Sequence, residues 1–396
     1  MLNPRLNDLI DYPFDRLRAL LDGHASQANV EPLAFSIGAP RHAPPAMVAE
    51  ILAAESAGWG QYPPIDGTPE FIDAVSGWLS RRFNLPPGFV NGAAHVLAAS
   101  GTREVLFMAG MLCVPETKNG KSPAVLIPNP FYQVYSGSAL MNGAEAVFLP
   151  TGRETNFLPD LDSLTNDVLD RTVVFFLCTP SNPQGAVADL AYLKKAVELA
   201  RAHDFLLAVD ECYTEIYDRD PPPGALQACA ELGGGFENVL VFHSLSKRSS
   251  VPGLRSGFVA GDPNLIAPLR RLRTFSAATV PRPVMAASAA LWRDDEHVHV
   301  YRELYRANFQ AADEILDGRY GYYRPPAGFF LWLDVGDGVE AALTLWRKAG
   351  LRVLPGEYLA RQVDGVNPGR PFIRVALVHD LETTREGLAR LRTVLG

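Results

Sequence analysis

The sequence predicts an α/β protein, with a large unit built on a mostly parallel sheet flanked by helices and a smaller α+β unit beside it. Two observations carry this. Through the middle of the chain, short continuous apolar runs alternate with helical stretches, as expected of strands buried on both faces of a parallel sheet. In the last third the pattern changes to one long amphipathic helix followed by strand-like segments parted by Gly- and Pro-rich loops. With 396 residues, 47% of them apolar, the chain can bury a sizeable interior. The 20% of charged residues excludes a disordered chain.

Taken in order, Pro69–Phe83 reads as a helix, with Thr68 as N-cap, Pro69 in its first turn and Phe71, Val75, Trp78 and Leu79 on one face. The runs Ala124–Ile127, Ala146–Leu149, Val173–Cys178, Leu206–Val209 and Val239–Phe242 read as strands joined by right-handed crossovers. Between two of them, Ala191–His203 places Leu193, Val197 and Ala200 on one helical face. Glu296–Leu316 is the long helix, and Gly328–Val335, Leu351–Leu354 and Phe372–Val378 are the later strands, with a closing helix after Asp380. The expected division is a large domain over 46–285 and a small domain made of 1–45 with 286–396. No internal repeat or low-complexity tract interrupts it.

A net charge of −8 argues against a phosphate-backbone binder, so no nucleic acid is expected, although a few local cations still suit a small anion. No apolar run approaches the roughly 18 residues needed to cross a bilayer. The N-terminus lacks the apolar core of a signal peptide, and the four cysteines form no CxxC pair, so a reducing cytoplasm is expected.

Some motifs fail on inspection. Gly120-Lys121-Ser122 resembles the end of a P-loop, but Pro115 stands where that loop needs glycine. Gly233-Gly234-Gly235 lacks dinucleotide-binding spacing. Asp294-Asp295-Glu296-His297-Val298-His299 has metal-ligating residue types, but residues two apart do not share a helix face. It reads as a solvated helix start, and no metal is expected.

Four motifs survive, each at the carboxyl end of a strand or the start of a helix, where open α/β sheets place ligands. His243-Ser244-Leu245-Ser246-Lys247, with Arg255 eight residues on, groups hydroxyls and cations suited to one phosphate and leaves an amine near a carbonyl. Asp210-Glu211-Cys212-Tyr213 offers a carboxylate to a cationic nitrogen, or is a strand-end cap. Thr179-Pro180-Ser181-Asn182-Pro183 is a fixed turn projecting Asn182. Ser100-Gly101-Thr102-Arg103 opens a helix whose free N–H groups suit a phosphate.

This ordered set resembles the fold-type I aminotransferases that use pyridoxal 5′-phosphate, over nearly the whole chain. The resemblance implies a seven-stranded, mostly parallel sheet and a homodimer with shared active sites. Lys247 would bind the cofactor covalently and shuttle the proton. Asp210 would pair with the pyridine nitrogen, and Tyr213 and Asn182 with the phenolic oxygen. Ser244, Ser246 and Arg255 would hold the phosphate together with Gly101, Thr102 and Arg103, or with Ser100 in a register shifted by one. Tyr132 would stack on the ring, and Tyr62 would reach the phosphate of the neighbouring subunit. Arg374, with Gly38 opposite and Asn182 beside it, would grip the substrate α-carboxylate. Amino acids and 2-oxo acids are the implied substrates.

Within that family, Phe242-His243-Ser244-Leu245-Ser246-Lys247-Arg248-Ser249 and Arg255-Ser256-Gly257-Phe258-Val259-Ala260-Gly261-Asp262 resemble the succinyl-diaminopimelate aminotransferase group. So do the opening Leu2–Leu6 with Tyr12-Pro13-Phe14, and Pro128–Gln133. Ser250, where that group often has Asn, and Ser181, where Gly is commoner, depart from it. The expected reaction moves the amino group of glutamate to N-succinyl-2-amino-6-ketopimelate, in diaminopimelate and lysine biosynthesis. Arg248 and Arg273 are candidates for the distal carboxylates, or else surface charges. The alternatives are an aspartate, alanine or aromatic aminotransferase, a β-lyase, or a non-catalytic binding protein on the same fold.

Overall fold

The computed structural model describes residues 2–24, 26, 30–276 and 278–396. Its central sheet has seven strands: β1 (Val96–Ala99), β2 (Ala124–Asn129), β3 (Glu145–Pro150), β4 (Thr172–Cys178), β5 (Leu206–Asp210), β6 (Val239–Ser244) and β7 (Gly257–Gly261). Their order is β1-β7-β6-β5-β4-β2-β3. Only β7 runs antiparallel to its neighbours, β1 and β6. All five apolar runs expected as strands lie in this sheet. The outlying β3 is only half-buried, because an edge strand has a neighbour on one side alone.

Helices cover both faces and divide the interior into two apolar layers. On one side Trp78, Phe83, Trp292 and Phe258 pack together; on the other Tyr135, Phe176, Phe131 and Leu106 do. Helix Pro69–Arg82 starts where expected, the Thr68 hydroxyl accepting from the Phe71 N–H at 3.3 Å.

The smaller sheet is antiparallel, in the order Leu354–Pro355, Phe372–Ala376, Phe330–Asp334. The segment expected as one strand, Leu351–Leu354, is split. Leu351–Arg352 pairs in parallel with Leu33–Ala34, whereas Leu354–Pro355 pairs with the Phe372–Ala376 strand. Phe35 thereby enters the same core as Phe309, Leu331 and Leu388. Helix Leu381–Leu395, capped by Asp380, packs along Glu296–Leu316. Among the described residues, no helix is long and apolar enough to cross a membrane.

Because β2, β4, β5 and β6 are parallel, their carboxyl ends at Asn129, Cys178, Asp210 and Ser244 lie along one edge of the sheet. The smaller sheet adjoins this edge through Arg374, and the Gly356–Leu359 turn reaches it directly, the Phe131 N–H donating to the Leu359 carbonyl at 2.9 Å.

Candidate active site

Between that edge and the smaller sheet lies a cleft of about 460 Å³. Its walls include Gly38, Thr102, Arg103, Tyr132, Asn182, Asp210, Tyr213, Ser244, Ser246, Lys247, Arg255 and Arg374. Gly101 directly precedes the helix Thr102–Cys113 at the same wall. Tyr62 stands apart: it is 98% exposed and outside this cleft.

The base of the cleft is Asp210, the last residue of β5. Its Oδ2 accepts from the Tyr135 hydroxyl at 2.8 Å and its Oδ1 from the Cys212 N–H at 3.3 Å. Burial pushes its pKa up, while these hydrogen bonds and nearby His243 oppose the shift. No ion pair among the described residues includes this buried carboxylate, which leaves it open to a cationic partner in the cleft.

Lys247 sits on the short helix Leu245–Arg248, where Ser244 is N-cap and accepts from the Ser246 N–H at 3.1 Å. The two serine hydroxyls lie 2.9 Å apart. The Lys247 ammonium donates to the Gly38 carbonyl. Burial pushes its pKa down to about 8, aided by Arg374 and Arg255 and opposed by Cys212 and Asp210. Arg255 donates to the Ser100 carbonyl at 3.0 Å and lies so close to Gly101 that a Cβ there would collide with its guanidinium. Gly101 also has φ +81°, which disfavours any side chain. The Ser244, Ser246, Arg255 and Thr102 groups therefore converge on the N-terminus of helix Thr102–Cys113, a fitting cradle for a phosphate.

Opposite, the Arg374 guanidinium carbon sits over the Phe330 ring, 4.3 Å from its centroid, and the group donates to Asn182 Oδ1 at 2.9 Å and to the Ser36 carbonyl at 2.8 Å. Burial lowers its pKa to about 10, still leaving it cationic at neutral pH. Its Nε is a buried donor without an acceptor among the described residues, which a bound carboxylate would satisfy. A Cβ on Gly38 would come within 2.5 Å of Phe330 Cζ, so glycine is what lets the Phe330 ring lie under Arg374.

Three residues in or at the cleft, Tyr135, Tyr12 and Phe14, were not anticipated there. Tyr135 is fully buried, stacks on Phe176 at 4.7 Å and orients Asp210; its position one helical turn after Tyr132 is the signal that could have found it. Tyr12 and Phe14 close the mouth from the N-terminal segment. Arg103 bridges two rings there, donating to the Tyr132 hydroxyl at 2.7 Å and the Tyr12 hydroxyl at 3.2 Å. Thr102 Oγ1 lies 3.3 Å from Cys212 Sγ.

Two expectations are corrected. Arg248 and Arg273 are neither cleft cations nor surface charges. Arg248 is buried against the Leu291 carbonyl at 2.7 Å and Asp295 at 2.7 Å, and Arg273 is buried against the Ala98 and Ala278 carbonyls. His297, expected on a solvated helix start, is instead half-buried, paired with Asp294 and reaching Ser249 beside the Lys247 turn.

The family model for "Aminotransferase class I and II" matches residues 30–391. The chain belongs to this family. It is accordingly an aminotransferase that depends on pyridoxal 5′-phosphate, and the cradle, the buried carboxylate and the lysine described above fit that group. This aminotransferase is 31% identical to the LL-diaminopimelate aminotransferase of Syntrophobacter fumaroxidans, over 98% of this chain and 97% of that one. A crystal structure of an aminotransferase from Neisseria meningitidis is similar at TM-score 0.94 and 38% identity, covering 100% of both chains. A "probable N-succinyldiaminopimelate aminotransferase" from Thermus thermophilus is similar at TM-score 0.82 and 25% identity, covering 96% of this chain and 98% of that one.

Proposed function

We propose that this aminotransferase acts on diaminopimelate-type amino acids carrying a second, distant carboxylate, with N-succinyl-diaminopimelate and glutamate as the leading pair. The carrying observation is Arg103. Arg255 is committed to the phosphate cradle and Arg374 to the α-carboxylate, which leaves Arg103 as a further guanidinium in the cleft wall. An exposed arginine held by Tyr132 and Tyr12 at the mouth suits the far end of a long acidic substrate. LL-diaminopimelate itself, the substrate in the name of the Syntrophobacter relative, is the second reading; it too carries a distal carboxylate.

Bound pyridoxal 5′-phosphate supplies the electron sink for loss of the substrate Cα proton. The chain's residues do the rest. Asp210 would keep a proton on the ring nitrogen, its own charge favoured by the Tyr135 and Cys212 donors. Tyr213 and Asn182 would hold the ring oxygen, and Ser244, Ser246, Arg255, Thr102 and the Gly101 turn, which meet in the cleft wall, would anchor the phosphate. Tyr132, in the cleft wall, would cover one face of the ring. Lys247, with its pKa near 8, is the amine that would attach the cofactor and would carry the proton from Cα. Arg374 would fix the substrate α-carboxylate, and with it the orientation of the Cα–H bond that is lost.

The exposed Tyr62 supports a homodimer in which it completes the partner's phosphate site. Mixing Tyr62→Phe and Lys247→Ala subunits should regain activity; no gain after confirmed exchange returns Tyr62 to a surface role. The substrate reading is tested by borohydride trapping followed by peptide mapping and by steady-state assays with each amino donor. Trapping at Lys247 and preference for a diaminopimelate donor support it. Trapping at another lysine, or equal use of alanine, overturns it.

A further inference from the structure

We propose that His297 is a positioning residue, which fixes the turn bearing Lys247 from outside the cleft. The inference rests on the reading that Lys247 carries the cofactor. Asp294 Oδ2 lies 2.5 Å from His297 Nδ1, and His297 Nε2 lies 2.8 Å from Ser249 Oγ. Ser249 closes the Lys247 turn, its N–H donating to the Leu245 carbonyl at 3.0 Å. The chain of carboxylate, imidazole and hydroxyl thus ends two residues from Lys247.

This order of groups matches that of a hydrolytic triad, but Ser249 is fully buried and no acyl group can reach it. What remains is orientation. The neighbouring contacts point the same way: Arg248 donates to the Asp294 carbonyl at 3.1 Å and to Asp295 at 2.7 Å, and Ser250 Oγ donates to the His42 carbonyl at 2.8 Å. Tyr301, one turn after His297, donates to the Ala43 carbonyl at 2.6 Å. The Lys247 turn is therefore clamped between the start of helix Glu296–Leu316 and the segment 38–43, which leads from strand Leu33–Ala34 into helix Met47–Ala54.

With Nδ1–H donating to Asp294, the neutral ring accepts the Ser249 proton at Nε2. Protonation at Nε2 removes that acceptor and adds a cation beside Arg248, 3.5 Å away. The groups facing the ring are Asp294 and Asp295 before its helix, Arg248 and Ser249 from the Lys247 turn, and the edge of Tyr301; Arg81 approaches Asp295 from helix Pro69–Arg82 at 3.8 Å. Burial lowers the His297 pKa below its usual 6.5, with Asp294 opposing and Arg248 reinforcing. Between the lowered value and 6.5 the unfolded chain binds more protons, so this group's contribution to stability falls as pH falls across that window, and the clamp itself is protonated only as pH drops through the lowered value.

The test uses the cofactor-loaded wild type, His297→Ala, His297→Gln and Ser249→Ala. It records borohydride trapping, the pH titration of the visible band and cofactor retention by equilibrium dialysis. Ser249→Ala and His297→Ala should move the titration midpoint by about half a pH unit. They should weaken retention about three- to tenfold, the scale of one neutral hydrogen bond. His297→Gln, whose amide oxygen can accept from Ser249, should restore most of both. If His297→Ala does not fold, Ser249→Ala decides. An unchanged midpoint and retention, with trapping at Lys247, overturn the positioning role alone. Trapping at another lysine overturns the cofactor assignment and this inference with it.

Discussion

The Tyr135 hydroxyl donates to Asp210 Oδ2 at 2.8 Å from a ring stacked on Phe176 at 4.7 Å. The carboxylate at the base of the cleft is thereby held by a donor that cannot swing away, on helix Gln133–Met141 directly after the Pro130-Phe131-Tyr132 turn. A buried carboxylate is costly to keep charged, and this bond, with the Cys212 N–H, offsets part of that cost.

Tyr135→Phe should therefore raise the Asp210 pKa and weaken its hold on a cationic ring nitrogen. A hydrogen bond to a charged group contributes about 1.5–3 kcal/mol, so kcat/KM should fall roughly tenfold or more. Kinetics and equilibrium dialysis of the cofactor read this directly; unchanged values for both would make Tyr135 a packing residue only. Asp210→Asn should be more severe still.

Arg103→Met keeps much of the side-chain length and removes the charge. It should cost diaminopimelate-type donors about 1.5–3 kcal/mol in kcat/KM while leaving alanine within about twofold. Parallel assays of the two donors check the split, and an equal loss for both would place Arg103 with the phosphate turn instead.

Gly38→Ala should push Phe330 from beneath Arg374, since the added methyl lies within 2.5 Å of the ring. Overpacking of this kind costs about 1–3 kcal/mol of stability, and KM for every donor should rise because all share the α-carboxylate. Thermal unfolding and KM across three donors measure the two effects.

In the cofactor-free chain Lys247 should react with amine-directed reagents half-maximally near pH 8, where its ammonium loses its proton. Between about 8 and the usual 10.5 the unfolded chain binds the extra proton, so this group's contribution to stability rises with pH across that window. Mass spectrometry of the Lys247 peptide against surface lysines gives the profile; a midpoint near 10.5 would mean the amine is not desolvated.

Much of this site is legible in the sequence because strand ends are legible. Asp210, Asn182 and Ser244–Lys247 each follow a continuous apolar run, and parallel pairing brings such ends together. Two strands, Val96–Ala99 and Gly257–Gly261, escape a reading of this kind, since their apolar runs are short and half alanine or bounded by glycine, residues of low β-propensity. Arg248 and Arg273 are hidden because their partners are mostly main-chain carbonyls, which leave no trace in residue type. Spacing within its own helix says nothing of His297, whose partner Ser249 lies on another element. Tyr12 enters through the fold of the N-terminal segment across the mouth, a long-range contact that no local pattern encodes.

The most direct measurement mixes cofactor-loaded protein with single amino donors under single-turnover conditions and follows loss of the visible band. N-succinyl-diaminopimelate should discharge the band with a second-order rate constant about tenfold or more above those of alanine and aspartate, ~1.4 kcal/mol in transition-state binding. Equal rate constants for alanine or aspartate would contradict the assignment of a distal-carboxylate substrate.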